Sequence, residues 1–105
     1  MKYELVLQFR MNDGDLRQFD AITARESEME KWLEPDAEVD GHDSGSGEMN
    51  IFLHTDRPVE TFERAKLLID SRPGVGEVQI AYQSMDSVGD YVILWPPELR
   101  EFKVV

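Results

Sequence analysis

Tyr3, Leu5, Leu7 and Phe9 alternate with Glu4, Val6, Gln8 and Arg10. A period of two predicts a half-buried strand. Asp13-Gly14 centres a turn. Leu16, Phe19 and Ile22 have helical spacing over a short length, which predicts a brief turn of helix. Thr23-Ala24-Arg25-Glu26 has the pattern of a capping box, in which hydroxyl and carboxylate satisfy each other's backbone donors. A helix is then expected to about Glu34, with Met29, Trp32 and Leu33 inward and Pro35 ending it. A single helix from Asp15 to Glu34 is the competing reading.

Ala37 to Asp43 and Glu48 to Thr55 read as two strands of a hairpin. A three-residue loop, Gly45-Ser46-Gly47, puts Gly47 where a left-handed backbone is wanted. Ser44 then faces Glu48, His42 faces Asn50, Asp40 faces Phe52 and Glu38 faces His54. One side carries Ala37, Val39, Gly41, Met49, Ile51 and Leu53. The other carries Glu38, Asp40, His42, Asn50, Phe52 and His54. A two-residue loop would mix these sets, so burial favours the odd length. Asp56 can cap a second helix with Pro58 in its first turn. Val59, Phe62, Ala65, Lys66 and Ile69 give its period, Leu67 and Leu68 widen the stripe, and Pro73-Gly74 stops it. Val78, Ile80 and Tyr82 mark a fourth strand. Asp86 to Asp90 reads as a turn, Tyr91 to Trp95 as a fifth strand, and Glu98 to Val105 as an edge strand or tail.

The order strand, helix, strand, strand, helix, strand predicts an α+β, ferredoxin-like βαββαβ sandwich. Its antiparallel sheet would carry two helices on one face, with a C-terminal strand or tail as an extension. The polar hairpin side, with Val6, Gln8, Gln79 and Gln83, is expected to face solvent or a partner.

A chain of 105 residues fits a single domain, and 41% hydrophobic residues suffice for a core. The formal net charge of -11 repels phosphate backbones, so nucleic acid is a poor partner. With no cysteine, disulfides, thiolate metal sites and cysteine nucleophiles are excluded. Glu4 and Gln8 interrupt any signal core, and no apolar run reaches membrane-spanning length. A cytoplasmic protein with no membrane association is expected.

The candidate binding residues are Glu38, Asp40, His42, Asp43, Glu48, Asn50, Phe52 and His54. Imidazole with carboxylates suits zinc or manganese. Alternate residues on a strand lie about 7 Å apart, however, too far to share an ion unless a histidine leans across strands. The plainer reading is a solvated sheet face with cross-strand pairs. Gly45-x-Gly47 precedes a strand rather than a helix, which argues against a phosphate cradle. Ser44 or Ser46 with His42 and Asp40 lacks an oxyanion hole. Phe52 lacks the matching first-strand aromatic of RNA-recognition sheets. From Glu26 to Glu48 there are nine acids and one base, Lys31, a field suited to steering a basic partner. Trp32 lies within that run, with core packing favoured over an interface anchor.

The segment Asp40-Gly41-His42-Asp43-x-Gly45-Ser46-Gly47-Glu48-Met49-Asn50-Ile51-Phe52, with Tyr91-x-Ile93-x-Trp95-Pro96, resembles a group of small uncharacterised bacterial proteins. Some of that group sit in settings that suggest immunity proteins of toxin systems. The resemblance implies a compact α+β protein and an inhibitor role, and it carries over no catalytic residue. The expectation is therefore a non-catalytic acidic module that binds a basic protein, with no cofactor. The runner-up is a metal-dependent enzyme or small-ligand protein using the polar hairpin face. A homodimer formed through the open sheet face is the third reading.

Overall fold

The computed structural model describes residues 1–86 and 89–104. Its elements are β1 (Tyr3–Arg10), α1 (Leu16–Trp32), β2 (Ala37–Gly45), β3 (Glu48–Thr55), α2 (Pro58–Asp70), β4 (Val78–Ser84) and β5 (Val92–Trp95). All five strands form one antiparallel sheet in the order β2-β3-β1-β4-β5. Strand β1 is central, and both its faces are buried.

Leu5, Leu7 and Phe9 of β1 and Met49, Ile51 and Leu53 of β3 pack beneath Ile22 and Met29 of α1 and Ala65 and Ile69 of α2. Both helices thus contribute to one core layer. Nothing between Leu16 and Trp32 is proline or glycine, so α1 runs unbroken and the two-part helix is corrected to the single one. Asp15 caps it, its Oδ1 accepting from the Gln18 amide at 3.0 Å. Thr23 caps nothing; its hydroxyl donates back to Phe19 and Asp20 carbonyls within the helix. Met29 and Leu33, four residues apart, point inward as expected, whereas Trp32, also expected inward, is 43% exposed. At α2, Asp56 is not the cap either. It accepts from the Lys2 amide at 2.8 Å, while the Thr55 hydroxyl accepts from the Arg57 amide at 2.9 Å.

The second sheet face is not open. After β5 the chain crosses it, laying Phe102 against Val6 and Ala81, with Phe52, Tyr91, Ile93, Leu99 and Val104 around them. Val6 is 0% and Gln8 7% exposed, and the Gln8 amide donates to the Lys103 carbonyl at 2.7 Å. The expectation that Val6 and Gln8 face solvent or a partner is corrected. The apolar centre of that face is covered by a tail whose spacing gave no periodic signal. The predicted turn over 86–90 includes residues 87 and 88, and the predicted terminal segment includes Val105; these lie outside the described residues.

The hairpin register also differs. Its loop has two residues, Ser46 and Gly47, at φ 55° and 78°, and Gly45 pairs with Glu48. Two positive φ values give a turn whose twist matches that of the flanking strands. The mixing of faces that should penalise this loop is cancelled by a bulge. Val39 pairs with Leu53 and Gly41 with Phe52, so Asp40 is the surplus residue. Beyond the bulge every β2 side chain changes face relative to the expected register.

Candidate functional site

Three cross-strand rows organise the tail-covered face. The first runs Glu38 on β2, His54 on β3, Glu4 on β1 and Gln83 on β4. The second is apolar: Phe52, Val6, Ala81 and Ile93, beside Gly41. The third is Asp43, Asn50, Gln8 and Gln79. The tail lies over the middle row, so the polar rows flank a buried apolar strip.

In the first row, Nε2 of His54 lies 3.4 Å from Oε2 of Glu4 and 3.8 Å from Oδ2 of Asp40. The bulge brings Asp40 here from the edge strand. All three candidate donor atoms lie within 4.8 Å of one another. Beside Glu4, the Gln83 amide donates to the Tyr91 hydroxyl at 3.1 Å. Burial first, and the charge of Glu4 second, hold that hydroxyl above the ordinary tyrosine pKa.

In the third row, Nδ2 of Asn50 donates to Oδ1 of Asp43 at 2.9 Å. Asn50 is only 4% exposed, and its Oδ1 has no hydrogen-bond partner among the described residues. Glu48 sits two pairs further on, opposite both Gly45 and Arg10. It borders a cleft of about 430 Å³ shared with Gln8, Arg10, Glu77 and Gln79.

His42 is separated from all of these. The bulge turns it to the helix side, opposite Ile51, where Nδ1 lies 2.8 Å from Oε1 of Glu26 and the ring stands edge-on to Phe19. The expected grouping of His42 with Asn50 and His54 is therefore corrected. So is any triad of Ser44 or Ser46 with His42 and Asp40, because Asp40 and His42 point to opposite faces. Of the eight candidates, Asp40 and His54 meet, Asp43 and Asn50 meet, and Glu38 pairs across from His54. Phe52 belongs to the apolar strip.

The acidic run shapes a separate surface. Glu30, Glu34 and Glu38 surround a groove of about 450 Å³ whose other walls are Pro35, Ala37 and Val39. It lies between the end of α1 and β2, the edge strand. Glu26, Glu28, Asp36 and Asp40 have basic or histidine neighbours. Among the described residues, none of the ion pairs involves Glu30, Glu34 or Glu38. Trp32 stands near the same helix end. Its indole donates to the Arg64 carbonyl at 2.8 Å, and the Arg64 guanidinium lies over its ring at 5.4 Å.

Sequence reasoning missed Glu4 as a site residue, because its neighbours depend on the β1–β3 register, which carries no local signal. It also did not separate Glu30 and Glu34 from the rest of the acidic run. No family model matches the chain, and neither a curated protein nor a solved structure matches it.

Proposed function

We propose that this chain is a ferredoxin-like βαββαβ domain, extended by β5 and the tail, that works by binding rather than catalysis. Its partner is a protein with an exposed basic segment. The observation that carries the reading is the groove walled by Glu30, Glu34 and Glu38 over Pro35, Ala37 and Val39. Carboxylates above an apolar floor suit the charged head and the methylene stem of lysine or arginine together. The groove opens beside the free edge of β2, so an extended segment could lie along it. The overall charge of -11 adds long-range attraction. The resemblance of the hairpin to proteins found in toxin–immunity settings points the same way.

The test uses an extended lysine- and arginine-rich peptide, with an acidic peptide of equal length as control. The basic peptide is expected to associate faster at low salt, and the triple variant E30K/E34K/E38K to slow it about tenfold or more. A control reversing Asp86, Glu98 and Glu101 to lysine changes net charge equally and should slow it much less. Equal loss in both variants, or binding indifferent to salt, would sink the reading.

A further inference from the structure

We propose that Glu4, Asp40 and His54 bind a divalent transition-metal ion of the zinc type. Zinc holds nitrogen and oxygen donors at about 2.0–2.2 Å, so donors at a tetrahedral angle stand about 3.4 Å apart. The His54 separations, 3.4 Å to Glu4 and 3.8 Å to Asp40, are close to that edge. They are too long for imidazole–carboxylate hydrogen bonds, which cluster near 2.8 Å. The same chain shows the alternative: His42 and Glu26 meet at 2.8 Å, as a hydrogen-bonded pair should.

The surroundings argue in the same direction. The side chains of Glu4 and His54 are 25% and 21% exposed, and among the described residues no hydrogen bond reaches the Glu4 carboxylate or His54 Nε2. Two carboxylates therefore converge on one imidazole, Glu4 partly desolvated and Asp40 56% exposed at the rim, with no hydrogen-bond donor among the described residues serving Glu4. A divalent cation supplies the missing positive charge. The donors come from three adjacent strands, so the hydrogen-bonded ladder fixes their spacing. Asp40 joins only because the bulge adds a residue at that point. One imidazole with two carboxylates suits zinc better than magnesium or calcium, which favour all-oxygen sets. Three protein ligands leave a further position for water. The basic-segment groove does not depend on this ion.

Tag-free protein is titrated with zinc chloride, with magnesium chloride in parallel, by calorimetry and thermal unfolding. One equivalent of zinc should bind and raise the unfolding midpoint in a concentration-dependent way, while magnesium should not. H54Q and E4Q should each weaken binding by at least about tenfold, the size of outer-shell effects alone. H42Q should leave it unchanged. Cobalt(II) added to the unaltered protein gives a readout independent of how variants fold: an intense tetrahedral d–d band, with the His54 ring signals displaced further than those of His42. The proposal is overturned if zinc and cobalt leave the protein unchanged, if magnesium binds equally well, or if H42Q abolishes binding while H54Q does not.

Discussion

Tyr91 shows how one side chain reports its surroundings. Its hydroxyl accepts from Gln83 and stands near Glu4, and its pKa lies above the usual tyrosine value. A folded pKa above the unfolded one means that the folded state holds the proton more tightly. That contribution to stability is intact below the unfolded pKa, about 10, and is lost as pH rises through the folded value. Tyr91 should therefore contribute to a fall of denaturant midpoints above about pH 10. The Y91F variant should show a shallower fall over that window; an unchanged slope would contradict the assignment. Gly47 reports backbone conformation instead. At φ 78° it sits in the left-handed region, and nothing lies within 4 Å of where a Cβ would stand. With space available, G47A pays only in conformation, about 1–2 kcal/mol in a urea titration. A much larger loss would mean that the turn is clamped from outside.

At the scale of elements, legibility followed how locally each signal was written. The alternation of Tyr3 to Arg10, the proline at the start of α2 and the runs forming β3 and β4 depend on neighbours in sequence, and they placed these elements correctly, although β1 is buried on both faces rather than one. Trp32 did not, because the single-residue step from Trp32 to Leu33 is small in sequence but turns a side chain by about 100° around the helix, from solvent to core. His42 did not, because a bulge has no compositional mark. Alternation made the three-residue loop look better, whereas the positive φ values of Ser46 and Gly47 belong to the two-residue turn. The site at Glu4 needed a register between strands separated by a helix and a hairpin, which pattern alone does not give. The tail was the least legible element, since Leu99, Phe102 and Val104 follow no regular period. It should nonetheless matter to stability. F102A should cost about 3 kcal/mol in urea unfolding, from lost burial and the cavity left against Val6 and Ala81. A loss below about 1 kcal/mol would show that the tail covers the sheet without holding it.

For the whole molecule, charge and edges dominate. At -11, self-repulsion opposes the compact state, and added monovalent salt screens it. The thermal midpoint should rise between very low ionic strength and about 0.15 M salt, over the range where the proposed association with a basic peptide is expected to weaken. Opposite signs from one screening process would separate repulsion within the chain from the proposed attraction to a basic peptide; a midpoint that fell with salt would argue against the first. The β2 edge carries Glu38, Asp40 and Asp43 together with a bulge, a combination that discourages strand-to-strand pairing between copies. That bulge also bears on how the chain can change over generations. Removing the Asp40 codon joins Val39 directly to Gly41, and the pairings from Gly41 to Gly45 already match a continuous ladder. The core, the turn and the His42–Glu26 contact would all survive such a deletion, while one carboxylate beside His54 would go. Gain or loss of a single codon is thus enough to add or delete a carboxylate beside His54 without redesigning the sheet around it.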